Sequence, residues 1–154
     1  MLSEKEIQKI TTELAHCVTK QSVSIDALNI IQRHQGWVSD ESLKEVAHLL
    51  EMTTDELDAV ATFYSFIFRK PVGRHVILVC DSISCWVMGY NPLLDYLKTN
   101  LGIRFGETTE DKRFTLLPVS CLGACDRSPN MMVDEDLYGP VTPEMMEGIL
   151  EKYS

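Results

Sequence analysis

A chain of 154 residues with 45% hydrophobic content is long enough for one full domain or two small ones and apolar enough to bury a core, which excludes global disorder. The formal charge of -9, from 23 acidic against 14 basic residues, comes with no dense Lys/Arg cluster and makes nucleic acid a poor partner. No apolar run reaches the roughly 20 residues that span a bilayer, and the charged opening "MLSEKEIQKITTELAH" lacks a signal-peptide core, so a cytoplasmic protein is expected.

Residues 1–70 read as successive helices. Ile7, Ile10, Leu14 and Cys17 line one helical face. A second helix is expected from a Ser24 cap to a stop at Gly36, burying Ala27, Leu28 and Ile31. A third follows the cap Ser39 and buries Leu43, Val46, Ala47 and Leu50. A fourth opens on Thr53 and Glu56, which have capping-box spacing, and buries Leu57 and Val60. Together these predict a small helical bundle, thin for an independent core.

The Pro and Gly of "RKPVGR", residues 69–74, mark the expected boundary between a domain over 1–70 and another over 71–154. Beyond it, "HVILV", "FTLLPV" at 114–119 and "NMMV" at 130–133 suit short buried strands. Between the first two, Asn91 is a plausible cap, Pro92 fits a first turn, Leu93, Leu94, Leu97 and Leu101 are apolar positions, and Gly102 is a stop. A last helix is expected from Thr142 and Pro143, turning Met146, Ile149 and Leu150 inward. The class is α+β, a bundle followed by a small mixed sheet with helices.

Each of the first two strands runs into a cysteine pair: Cys80 and Cys85, then Cys121 and Cys125. A helical crossover makes these strands parallel neighbours, so their ends would bring four thiols together. Cytosolic thiols stay reduced, which favours metal binding or catalysis over a disulfide framework. The gaps of four and three intervening residues are wider than the CxxC of most zinc clips and of thioredoxin-type dithiols, and they suit a [2Fe-2S] centre with one pair on each iron. Zinc, redox thiols and inert core cysteines remain open alternatives. Rieske ligation is set aside because the nearby His75 falls on the opposite strand face from Cys80. Gly123 and Ala124 between the second pair would let backbone amides approach the sulfurs, and a helix after Cys85 would turn its positive end toward the loop. Asp81 and Asp126 each follow a ligand and would disfavour an added electron, which points to a low potential, about -400 mV as in plant-type centres.

With "ATFYSFIFRKPVGRHVILVCDSISC" and "FTLLPVSCLGACDRSPNMMVDED", the sequence from about Ser24 onward resembles the E subunits of bacterial NADH-quinone oxidoreductase, respiratory complex I. The resemblance implies a helical bundle followed by a thioredoxin-like domain with one [2Fe-2S] cluster held by Cys80, Cys85, Cys121 and Cys125. It also implies a partner, the F subunit, a flavoprotein which holds FMN, the NADH site and a [4Fe-4S] cluster, with the [2Fe-2S] cluster near the flavin but off the main path to quinone. The absence of a GxGxxG after any strand agrees that this chain binds no dinucleotide itself. Related subunits serve NAD-linked formate dehydrogenases and hydrogenases, so that electron source is the alternative, as is a structural zinc module. The resemblance also implies that the positions held by Trp86, Ser120 and Ser128 vary among relatives.

Other candidates read as ordinary structure. Cys17 is expected to be a small buried hydrophobe, and His16, His34 and His48 lie in helical segments without ligand spacing. Met131 and Met132, as strand neighbours, should face opposite ways. The aromatic run Phe63, Tyr64, Phe66 and Phe68 serves either to pack the bundle onto the sheet domain or to dock the flavoprotein. The acidic runs "TTED" and "DEDL" read as solvated surface.

Overall fold

A computed structural model describes residues 1–153, in which one compact unit spans Met1–Pro71 and a second begins at Val72. The first unit holds α1 (Glu4–Leu14), a 3-10 turn at Lys20–Val23, α2 (Ser24–Gln35), α3 (Asp40–Leu49) and α4 (Thr54–Phe63). Capping boxes open α1 at Ser3 and Glu6 and α4 at Thr53 and Glu56, and the Ser39 hydroxyl accepts the Ser42 N–H at the start of α3. Ser24 is not a cap: the 3-10 turn carries the chain straight into α2, so Ser24 becomes its first residue and Val23 precedes it.

The bundle encloses a core of its own, against the expectation of a thin one. Ile10, Leu28, Ile31, Leu43, Leu50 and Leu57 are fully buried, and Val38 and Ile67, which lie between and after the helices, complete the core. Segment 64–69 is tied to the bundle. The Gln32 side chain bonds both Phe66 C=O and Phe68 N–H, and the Arg69 guanidinium reaches Asp58 at 2.7 Å, Asp40 at 2.6 Å and the Val38 carbonyl. Phe63, Tyr64 and Phe66 nevertheless stand exposed.

Glu6, not Ile7, turns inward on α1 and is only 2% exposed. Its carboxylate accepts from the Ser3 amide, the Ser3 hydroxyl and the Gln35 amide at 2.6, 2.7 and 2.9 Å. Burial pushes its pKa up, but these donors outweigh burial and leave it below the usual 4.5. A depressed folded pKa gives stability that is full above the unfolded pKa and is lost as pH falls through the folded one. Glu6→Gln should therefore lose less stability than wild type between pH 7 and about pH 3, as measured by urea unfolding at both values.

The second unit carries a four-stranded sheet in the order β2-β1-β3-β4, from β1 (His75–Cys80), β2 (Phe114–Val119), β3 (Met131–Val133) and β4 (Asp136–Tyr138). The helices are α5 (Ile83–Met88), α6 (Tyr90–Leu101) and α7 (Pro143–Leu150). β1 pairs parallel to β2 and antiparallel to β3. Ile77 and Val79 of β1 face the main core with Leu93, Leu97, Leu116, Met131 and Met146. Strand alternation turns Val76, Leu78 and Cys80 to the other face. Met131 is buried and Met132 half-buried, as strand neighbours should be, while Leu150 is only half-buried on α7.

Asn91 is the second residue of α6 and Gly89 holds the cap position, since α5 ends only one residue earlier. The run "DEDL" is not simply solvated. Asp134 takes the turn between β3 and β4, pairs with His75 at 2.7 Å and accepts the Val76 N–H, while Asp136 accepts the Tyr153 hydroxyl at 2.6 Å. In "TTED", Asp111 accepts the Thr109 hydroxyl and the Arg113 N–H and so builds a turn. His16 and Cys17 lie beyond α1. Cys17 is half-buried, and its thiol donates to the Leu14 carbonyl.

Candidate metal centre

The parallel pairing of β1 and β2 sets Cys80 opposite Val119, so both strands reach their carboxyl ends together, and the second strand meets Cys121 two residues later. The Asp81 N–H donates to the Val119 carbonyl at 2.8 Å and extends the ladder past Cys80. On the other side the Cys80 N–H donates to the Asn130 carbonyl at 3.2 Å. Cys80 is thereby fixed between the two segments that bracket the second cysteine pair.

Cys85 lies inside α5, so the helix begins before the candidate ligand and not after it as expected. This short, largely apolar helix carries it inward while Ile83, Trp86, Val87 and Met88 stand exposed around it. Cys80 and Cys85 are each 1% exposed, whereas Cys121 and Cys125 are exposed. The site is thus walled on one side and open on the other.

The loop after β2 wraps back on itself. Gly123, at φ +78, turns its N–H onto the Cys121 sulfur at 3.3 Å, a left-handed conformation that suits glycine. A short 3-10 turn holds Cys125–Arg127, and the Ala124 carbonyl accepts from the Arg127 N–H and the Asn130 side-chain amide. Asn130 is 1% exposed and its Oδ1 has no partner among the described residues. The Ser128 hydroxyl donates to the Cys125 carbonyl at 2.9 Å, and the Cys85 sulfur lies 3.6 Å from Ser128 Oγ. Sequence reasoning does not single out Ser128 or Asn130 as builders of the site. Their position five residues or fewer after a candidate ligand is the only signal.

All four predicted cysteines come to this edge. The Cys80 thiol interacts with Cys85 and Cys121, and Cys121 interacts with Cys125, Ser82 and Cys80. Burial pushes the Cys80 thiol up to about 11, with the neighbouring sulfurs adding to the rise and the Leu122 N–H opposing it. The Gly123 N–H holds Cys121 below the ordinary thiol value, helped by its hydroxyl and thiol neighbours. Among the described residues no group of three or more His, Cys, Asp or Glu side chains is placed to hold one metal ion. The donor set is all sulfur with amides aimed at it, which suits a soft iron-sulfur centre. Thiolate at buried Cys80 would need compensating positive charge, which bound iron would supply. Cys17, His16, His34 and His48 lie in the first unit, where Nε2 of His34 bonds Lys9 Nζ at 2.9 Å.

Four cysteines gathered where two parallel strands end define a cysteine-rich redox or metal domain, and known proteins specify which. The sequence profile of the thioredoxin-like [2Fe-2S] ferredoxins matches residues 7–154. The E subunit of NADH-quinone oxidoreductase from Escherichia coli (strain K12) is 47% identical over 152 residues, covering 99% of this chain and 92% of that protein. The protein of the same name from Buchnera aphidicola subsp. Acyrthosiphon pisum is 45% identical over 152 residues, 99% of this chain and 94% of that one. Similarity therefore reaches nearly to the amino terminus, further than the motifs alone implied. In fold the chain also resembles part of an NAD+-reducing [NiFe]-hydrogenase, with a TM-score of 0.72 at 22% identity over 85% of this chain and 22% of that one. The chain belongs to the thioredoxin-like [2Fe-2S] ferredoxin family and, within it, to the E subunits of the NADH-quinone oxidoreductases. Its cofactor is a [2Fe-2S] cluster.

Proposed function

We propose that Cys80, Cys85, Cys121 and Cys125 hold the [2Fe-2S] cluster and that the chain is the electron-transfer subunit of an NADH-oxidising module, exchanging electrons with FMN on the flavoprotein, the F subunit. The observation that carries this reading is the parallel β1–β2 pair, which delivers both cysteine pairs to one edge. When bound, the cluster supplies one-electron transfer. The protein's part is to bury Cys80 and Cys85, aim the Gly123 N–H at Cys121 and leave the outer pair open for electron exchange. No side chain is needed for proton chemistry.

The exposed Ile83, Trp86, Val87 and Met88 beside Cys85 support a partner that covers this edge, as the reading requires. Among the described residues no helix is long and apolar enough to cross a membrane. A place on the cytoplasmic face, attached through the complex, follows from this reading.

The test is anaerobic purification with a count of iron, acid-labile sulfide and zinc per chain, an EPR spectrum after dithionite, and a screen for copurifying flavoprotein. Two irons, two sulfides, a reduced [2Fe-2S] signal and a bound NADH-oxidising flavoprotein are expected. One zinc per chain without labile sulfide would overturn the electron-transfer reading and make the site a structural clip. A hydrogenase or formate dehydrogenase as the bound enzyme would overturn the respiratory assignment.

A further inference from the structure

Ser128 lies where the two cysteine loops meet. It is 7% exposed, its hydroxyl donates to the Cys125 carbonyl at 2.9 Å, and the Cys85 thiol approaches Ser128 Oγ at 3.6 Å as a donor. One buried hydroxyl thus touches a residue from each pair.

A serine hydroxyl carries one hydrogen and two lone pairs. While Cys85 keeps its proton, Ser128 accepts from the thiol and spends its own hydrogen on the Cys125 carbonyl. A ligating cysteine has lost that proton, so its sulfur becomes an acceptor. The arrangement then offers a single hydrogen two acceptors, one on each loop, and rotation about the Ser128 side chain selects between them.

We propose that the Ser128 hydroxyl donates to the Cys85 sulfur when the cluster is reduced, and that this positioning residue raises the cluster's reduction potential; the inference rests on the ligand assignment above. One electron, from the reduced flavin of the partner or from dithionite in the test, increases the negative charge on the ligand sulfurs. Hydrogen bonds to charged acceptors are stronger than those between neutral groups, and more so away from solvent. Reduction therefore shifts the Ser128 hydrogen from the carbonyl toward the sulfur. The proton never leaves the serine oxygen, so the electron is added without proton uptake. A bond that strengthens on reduction favours the reduced form and opposes the neighbouring Asp81 and Asp126.

The experiment is an EPR-monitored redox titration of the cluster-loaded protein as wild type, Ser128→Ala and Ser128→Thr. At the wild-type midpoint, Ser128→Ala should show a ratio of reduced to oxidised cluster lower by roughly three- to tenfold, tenfold being 59 mV for a one-electron couple. Ser128→Thr keeps the hydroxyl and should stay at the wild-type ratio. In D2O, pulsed EPR of the reduced wild type should show a strongly coupled exchangeable deuteron that Ser128→Ala lacks.

An alanine variant that is fully loaded, with its midpoint and deuteron coupling unchanged, overturns the proposal and leaves the ligand assignment standing. Ser128→Ala failing to load while Ser128→Thr loads normally would make Ser128 a builder of the loop and also overturn it. Wild type without two irons and two sulfides would remove the ligand assignment and this inference with it.

Discussion

Cys121→Ser should lose the [2Fe-2S] EPR signal and most of the bound iron, while Cys17→Ser keeps both at wild-type levels. Cys121 has a thiol prepared for ionisation: the Gly123 N–H meets its sulfur at 3.3 Å, and its pKa lies below the ordinary thiol value. A serine oxygen is a harder donor, holds its proton more tightly and brings the first atom of the ligand closer to the backbone. Replacing groups that merely support a metal ligand costs roughly 10–100-fold in affinity, so loss of a ligand should exceed that. Cys17 lies in the other compact unit and bonds only the Leu14 carbonyl. Iron and sulfide analysis with the visible spectrum of both variants decides the matter, and a full complement of iron in Cys121→Ser would refute the assignment.

Gly139→Ala should destabilise the second unit more than any other single-methyl insertion at its glycines. A Cβ at this position would come 2.3 Å from the Arg127 carbonyl oxygen and 3.0 Å from the Asn130 Cβ. Neither neighbour is a free side-chain end: one is backbone and the other the root of a residue that is 1% exposed. Insertion of extra carbon into a tight site costs about 1–3 kcal/mol, and each kcal/mol lowers Tm by about 4–8 °C in a domain of this size. The segment that must move carries Ser128 and the Asn130 carbonyl that accepts the Cys80 N–H, so iron retention on heating should fall as well. Gly148→Ala on α7 meets nothing within 4 Å and serves as the control, expected to be neutral or slightly stabilising. Thermal unfolding of both holoproteins with iron release as a second probe gives the comparison; equal Tm values would show that the Arg127 loop yields freely.

The cysteine pairs were legible because they follow two apolar strand runs, and the parallel pairing inferred from the crossover is the one observed. Three helix ends were legible for the same kind of reason, as Ser39, Thr53 and the stop at Gly36 each have a local chemical cause. Segment "ISCWVM" hid α5, since Ser84 is its one polar residue and it is too short to show a 3.6-residue period. The β4 strand, "DLY", is three residues long and offers no alternation to read. The core of the bundle was underestimated because Val38 and Ile67 come from connecting segments, which no helical stripe can reveal. Ser128 and Asn130 act through side-chain bonds made only once the loop has closed, so no spacing rule marks them.

The crossover between β1 and β2 has a consequence for durability. Under the proposed ligand assignment, Cys80 and Cys121 are tied through the cluster across a separation of 41 residues that includes α5, α6 and β2. By the relation used for disulfides, a covalent tie across a loop of that length removes about 4 kcal/mol of chain entropy from the unfolded state. The cluster is in that sense a clasp on the domain as well as a carrier. Oxidative loss of iron would then leave behind a loosened sheet edge, open to proteolysis, and not merely a silent electron carrier.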